Sequence, residues 1–315
     1  MKKLNNDIEN KKNKSFEFLN QLNCLECKLP LVFESKRIIL FCNKCKIEIP
    51  VDKGIPRFVD SDKYVKNFSL EWNIHKTTQI DSVKYKESEK NFHERFGLPR
   101  SFWKGKKVLD VGVGVGRYAK VALDADAEVC GIDLSYAVDV AKENLKNYDK
   151  ISLCQADIFS LPFDDQSFDV IYSFGVLHHT PDPQNAFRSL LRYLKPGGVI
   201  CLTLYENHGM YHTSRYLRKL TTSINPKLLY LITLFYLLIM YLPYKYFGLR
   251  YGVLGRFAPI SLSNNFSEAI LDTYDCYSPK YQHTYSDFDV FSWFKEVGLQ
   301  KIEVRPQPVT ILGYK

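Results

Sequence analysis

Low-complexity tracts, internal repeats and an apolar N-terminal core are all missing from this chain of 315 residues. The first two absences exclude disordered and repetitive classes and leave a globular protein, long enough for one large domain and a small one. The third, over Met1-Lys-Lys-Leu-Asn-Asn-Asp7, leaves no expectation of secretion. Acidic residues are scarce between 205 and 260, one against seven basic residues, so most of the formal charge of +8 sits there. One glycine is also missing. A dinucleotide fingerprint G-x-G-x-x-G that starts at Gly112 needs its third glycine at 117, and that position is Arg117. A nicotinamide oxidoreductase therefore drops out.

Eight cysteines are present, and they fall into two groups. Cys130, Cys154, Cys201 and Cys276 are scattered in apolar or isolated contexts. Cys24-x2-Cys27 and Cys42-x2-Cys45 form two knuckles, the second preceded by Ile38-Ile39-Leu40-Phe41. A CxxC turn aims two thiolates at one ion, and two such turns complete a closed tetrahedral site, so the spacing predicts a structural Zn2+ in a zinc ribbon. The pattern fits a reduced, cytoplasmic compartment with one metal site and no disulfide framework.

The glycine-rich stretch at 108–117 organises the rest. Residues 106–111 read as a buried strand, Gly112, Gly114 and Gly116 alternate with valines, and a helix begins near Tyr118. Strand, glycine turn and helix start together make an anion or nucleotide site. Downstream, strand and helix alternate: a strand at Glu128–Asp133, a helix at 136–147, a strand at Ile151–Gln155 and the turn Ala156-Asp157-Ile158. A strand at 170–173 ends in Ser173. The loop 174–183 with His178 and His179 follows, then a helix at 184–194, a turn at 195–198 and a strand at 199–204. Strands at 300–305 and 308–312 finish the sheet, the last one antiparallel.

In order, these residues give D-x-G-x-G-x-G, I-D, A-D-I, L-P-F, F-D-V-I, L-H-H and L-K-P-G-G over about a hundred residues. The series resembles the class I S-adenosylmethionine-dependent methyltransferases of the type 11-like kind. The resemblance implies a Rossmann-like seven-stranded α/β sheet. It also implies that Asp110 with Gly112, Gly114 and Gly116 holds the methionine part of S-adenosyl-L-methionine, and that Asp133 with Leu134 takes the ribose. Asp157 and Ile158 take the adenine, and Ser173 completes the set. Val113 stands where many relatives carry Cys. The tail Asp52-Lys-Gly-Ile-Pro56 is similar to the end of the small zinc ribbon that accompanies such enzymes.

This divides the chain into a zinc-ribbon module at 1–60, a helical bridge over the cofactor at 61–105, and the methyltransferase domain at 106–315 with a lid insertion at 205–285. Trp72, Tyr85, Phe92, Phe96 and Trp103 dot the bridge, where Glu71-Trp72 and Gln79-Ile80-Asp81 stand out; an aromatic there covers the sulfonium or packs the helices. His178 or His179 is placed to take a proton from an acceptor or simply to shape the pocket. The segment 274–285 precedes a capping box, Ser286-x-x-Asp289, and offers Tyr281, Gln282 and His283 as further acceptor contacts.

Within the lid, residues 228–244 are seventeen uncharged residues between Lys227 and Lys245, short for a spanning helix and interrupted by Pro243. A helical lid is the leading reading; a membrane-surface contact and a homodimer surface are its alternatives. The expected function is methyl transfer to a small-molecule or lipid-linked acceptor by a cytoplasmic enzyme, peripheral to the membrane if 228–244 touches it. Methylation of RNA ranks second, because the basic residues are interleaved with apolar ones and do not form a polar stripe. A non-catalytic scaffold ranks third, against the intact acids at 110, 133 and 157.

Overall fold

The computed structural model describes residues 18–59, 63–82, 86–207, 214–252, 255 and 257–315. Tyr85 and the Lys- and Asn-rich lead-in up to residue 17 lie outside the described residues. The N-terminal module is a four-stranded antiparallel sheet, β1 (Val32–Glu34), β2 (Ile39–Phe41), β3 (Glu48–Asp52) and β4 (Ile55–Pro56), in sequence order. Asp52 pairs with Ile55 across a two-residue turn whose Lys53 and Gly54 both have positive φ, 50° and 70°. That is the turn whose twist suits a hairpin, which is why glycine follows lysine there. Leu22, Leu31 and Leu40 pack on Phe163 and Phe168, so the module shares a core with the larger domain.

A bridge of two helices follows, α1 (Lys66–Ile74) and α2 (Glu87–Phe96). The Lys86 side chain at its N-cap position does not cap α2; the Asp81 carboxylate accepts from the Ser88 and Glu89 amides, both at 2.8 Å. Phe92, Phe96 and Trp103 are buried under the central sheet, where they pack it.

That sheet has seven strands: β5 (Lys107–Val111), β6 (Glu128–Asp133), β7 (Ile151–Gln155), β8 (Phe168–Phe174), β9 (Leu194–Thr203), β10 (Gln300–Val304) and β11 (Thr310–Tyr314). Their order is β10-β11-β9-β8-β5-β6-β7, and only β11 runs against its neighbours. The chain works outward from β5 to β7 and then returns to the other side of β5. This switch opens a crevice beyond the carboxyl ends of β5 and β8. Helices α3 (Arg117–Asp124), α4 (Ala137–Asn144) and α5 (Pro183–Leu190) make the crossovers. The expected fold holds, with differences at the edges. Helix α4 stops three residues short of 147. Helix α5 ends at Leu190 and gives way to a 3-10 turn at Leu191–Tyr193. The expected turn at 195–198 lies inside β9, as an irregularity between the Phe168–Leu194 and Val170–Val199 pairs.

The insertion is helical: α6 (Arg215–Thr221), α7 (Pro226–Tyr246) and α8 (Phe266–Tyr277). Pro243 does not interrupt α7: the helix runs three residues past it, to Tyr246. Leu237, Tyr244, Ile260, Ala269 and Ile270 give the lid a small core of its own. Helix α9 (Asp287–Glu296) starts with the full capping box of Ser286 and Asp289.

Candidate active site

The crevice is a single cleft. Its floor is the loop 111–115, the end of β6 at Ile132, Asp133 and Leu134, the turn at Ala156, Asp157 and Ile158, and the loop after β8 at 174–176 with His179 and Thr180. Its roof is Tyr64, Phe68 and Trp72 with Gln79. The loop turns sharply enough for this only because of glycine. Gly112 has φ +79°, and a Cβ there would stand 2.4 Å from a methyl of Val176. The Gly112 and Val113 amides both donate to the Ile132 carbonyl, at 2.8 and 2.9 Å, and so fasten the loop to β6.

Asp133 is fixed on both oxygens. Oδ2 accepts from the Gly114 amide at 3.0 Å, and Oδ1 accepts from the amide and hydroxyl of Ser135 at 2.8 and 2.7 Å. Burial raises its pKa against these bonds, which pull it down. The carboxylate is therefore held at the lip of the cleft beside the glycine loop, with hydrogen-bonding capacity facing the cleft. Gln155 bonds the Leu134 carbonyl at 3.0 Å and steadies the neighbouring turn. Asp157 accepts from the Phe159 amide at 3.2 Å and forms the far end of the cleft.

Not every expected residue reaches the cleft. Asp110 is buried one layer beneath it, where the Tyr172 hydroxyl donates to it at 2.8 Å. Burial pushes its pKa up to about 7, and the tyrosine opposes the shift. Ser173 donates to the Val111 carbonyl at 3.0 Å and ties β8 to β5. Gly116, at φ +86°, lets the chain pass Leu145 at the start of α3. These three shape the cleft and do not line it.

The histidines divide in the same way. His178 is fully buried, its ring stacked on Tyr205 with centroids 3.8 Å apart, and neither ring nitrogen has a partner among the described residues. Burial drives its pKa well down. His283 faces a shallow surface groove beside Asp182 and Trp293, outside the cleft. His179 alone faces in, 4.9 Å from the Phe68 ring. Its Nδ1 lies 3.0 Å from the Tyr281 carbonyl, which can only accept, so Nδ1 carries the proton and Nε2 a lone pair. Burial lowers its pKa to about 3, which keeps the ring neutral. Asp275 of α8 lies 3.9 Å from Nε2 and accepts from the Tyr205 hydroxyl. Burial raises its pKa to about 6.

Sequence reasoning missed part of this. Tyr64, Phe68 and Trp72 recur every four residues, a helical stripe visible in the sequence, although only Trp72 was singled out. Asp275 carries no local signal, because the lid brings it in. The roof is pinned in three places. Asn67 donates to the Ser278 hydroxyl at 3.0 Å, the Tyr136 amide donates to the Ser69 hydroxyl at 3.1 Å, and His75 Nε2 meets the Tyr230 hydroxyl at 3.0 Å.

In the N-terminal module, the four thiol sulfurs of Cys24, Cys27, Cys42 and Cys45 all lie within 4.8 Å of one another, with Cys27 and Cys42 at 3.5 Å. A tetrahedral ion with Zn–S bonds of about 2.3 Å sets its sulfurs roughly 3.8 Å apart. The donor set fits.

Comparison with known proteins agrees with the geometry. Residues 109–202 match the family described as a methyltransferase domain. Phosphoethanolamine N-methyltransferase 1 of Arabidopsis thaliana is 32% identical over 51% of this chain and 32% of its own. 24-Methylenesterol C-methyltransferase 2 of the same plant is 31% identical over 48% of this chain and 45% of its own. Demethylmenaquinone methyltransferase of Staphylococcus carnosus (strain TM300) is 35% identical over 44% of this chain and 62% of its own. The chain thus spans between a third and three fifths of the length of these relatives. Family match and strand order agree: residues 109–202 form a methyltransferase domain similar to those of the S-adenosylmethionine-dependent methyltransferases.

Proposed function

We propose that the protein transfers a methyl group from S-adenosyl-L-methionine to a small-molecule or lipid-linked acceptor. One observation carries this reading: the cleft runs unbroken from Asp157 past Asp133 and the glycine loop to His179, beneath an aromatic roof. The loop backbone would hold the methionine end, Asp133 the ribose hydroxyls, and Asp157 with the Ile158 backbone the adenine. Trp72, over Gly114, would face the sulfonium, and a cation on an aromatic face gains on the order of 1 kcal/mol. The bound cofactor supplies a methyl group already activated by positive sulfur.

The chain's own residues then mainly position the acceptor. An electron pair on its O, N or C would take that methyl carbon, with the S–CH3 electron pair left on sulfur. The acceptor's proton leaves. His179 Nε2 can accept a hydrogen bond from that proton and aim the lone pair, and good alignment alone supplies much of such a rate. A neutral ring with a pKa of about 3 is a poor proton store, so His179 acts by orientation, with water as the final proton acceptor.

A second cavity, lined by Lys66, Asn67, Thr221, Thr222, Ser278 and Lys280, shares Tyr64 with the cleft. Its two lysines suit an anionic headgroup on an acceptor that reaches the cleft past Tyr64. The relatives named for phosphoethanolamine, sterol and demethylmenaquinone methylation support an acceptor of this small or lipid-like kind. Cys24, Cys27, Cys42 and Cys45 would hold one structural Zn2+, which would stabilise the N-terminal module. We place the enzyme in the cytoplasm, consistent with its unpaired cysteines.

The test has two arms. Calorimetry with S-adenosylmethionine and S-adenosylhomocysteine measures donor binding; no heat with either ends the reading. Labelled donor with separated lipid, small-molecule and RNA fractions of a cell extract then shows where label goes, and label in RNA alone would reverse the acceptor assignment.

A further inference from the structure

Helix α7 leaves one apolar face in water. Its inner stripe, Leu229, Thr233, Leu237 and Tyr244, is buried on the rest of the lid. On the other side Leu231, Phe235, Leu238 and Leu242 are 61, 67, 58 and 57% exposed. Their spacing, i, i+4, i+7 and i+11, puts them on one stripe roughly 17 Å long. A contiguous apolar face of this kind marks a docking surface, not scattered surface residues.

Charge selects the occupant. From 207 to 267 the sequence has seven basic residues and no acidic one. A second copy of the chain meeting this face across a two-fold axis would set like charges against like. A surface of anionic headgroups would neutralise them. Arg215 lies over Tyr216 on α6, and Lys245 over Tyr246 and Arg250 over Tyr251 at and just beyond the C-terminal end of α7. All three tyrosines are exposed. Such aromatic–cation pairs, with an apolar body and a polar tip, suit the boundary between headgroups and acyl chains.

The helix is long and apolar enough to cross a membrane, at 21 residues with an 18-residue stretch of mean hydropathy 1.6. Its inner side argues for lying flat. Tyr236 and Tyr244 both donate to the Ala258 carbonyl, at 2.7 and 2.9 Å, and Tyr241 donates to the Ser263 carbonyl at 3.0 Å. Crossing would break these bonds and draw α8, with Glu268, Asp272 and Asp275, into hydrocarbon.

We propose that the exposed face of α7 docks the protein, in plane, on an anionic membrane surface. The inference is independent of methyl transfer, since vesicle binding is read on the protein alone. The full chain is floated with vesicles of phosphatidylcholine, with or without phosphatidylglycerol, at low and high salt. Wild type should bind the anionic vesicles at least tenfold better than the neutral ones and lose that preference in high salt. Phe235→Glu with Leu238→Glu should abolish binding with unchanged melting temperature, because both side chains point into water. Lys219→Glu with Lys227→Glu should weaken it about tenfold through charge alone. Wild type that ignores anionic vesicles, or glutamate variants that bind as well as wild type, would overturn the proposal. So would a stable dimer in sedimentation that the Phe235 and Leu238 changes dissociate.

Discussion

Arg57 and Asp139 meet at 2.8 Å, the guanidinium only 7% exposed. Arg57 closes the N-terminal module and Asp139 lies on α4, which follows Asp133 in the chain. The same guanidinium donates to Gln155 at 3.2 Å, and Gln155 donates to the Leu134 carbonyl. The N-terminal module is thus wired to the cleft by two side chains. Asp139→Ala leaves a mostly buried cation with weaker partners. Thermal or denaturant unfolding should show a loss of roughly 1–3 kcal/mol.

Asp133 should matter most to the donor. Asp133→Ala removes the acceptor of the Gly114 and Ser135 amides as well as any ribose contact. Calorimetry should show S-adenosylmethionine affinity reduced roughly 100-fold, about 2.7 kcal/mol. Asp133→Asn, which keeps one acceptor oxygen, should fall between. Unchanged affinity in the alanine variant would remove Asp133 from the site.

Gly112 offers a packing test. Gly112→Ala pays about 1–2 kcal/mol for the left-handed backbone and about 1–3 kcal/mol for the clash with Val176. A second change, Val176→Ala, should restore the clash portion and leave the backbone portion. A double variant as unstable as the single one would mean that the close approach costs nothing.

Acid ionisation sets a pH dependence. Burial raises Asp110 to about 7, above its unfolded range near 4, so the folded chain holds this proton longer than the unfolded one. The stability it contributes is complete below about pH 4 and is lost as pH rises through about 7. Asp272 and Asp275, both pushed up to about 6, act the same way over a lower window. The buried His178 and His179, with lowered pKa, act in the opposite sense, gaining stability as pH rises toward the unfolded value near 6.5. Between pH 6.5 and 8 Asp110 acts together with Glu71, which burial holds well above the usual carboxylate range. The melting temperature of the cofactor-free protein should fall across that range, and Asp110→Asn should flatten the fall. Equal slopes would show that Asp110 is already ionised.

The local parts of this molecule were legible in its sequence. The glycine loop, the strand-end acids and the paired cysteines each announce themselves within a few residues, because the chemistry needs them close in the chain. Direction was harder. His178 and His179 are neighbours in a 3-10 turn, yet only one faces the cleft, and no periodicity distinguishes them. Asp110 reads as a cofactor acid by position but sits under the floor, where Tyr172 of the next strand holds it. Asp275 was unreadable, since it reaches His179 only through the packing of the lid.

The roof over the cleft is tied at three points, through Asn67, Ser69 and His75, to three separate parts of the chain. A cover fastened in this way cannot lift residue by residue. Its opening has to be collective, which places it in the microsecond-to-millisecond range of lid motions. Departure of the spent donor, rather than the displacement itself, is then the expected bottleneck of turnover. Because the third tie, Tyr230, belongs to the helix whose outer face is apolar, whatever engages that face also holds one of the latches.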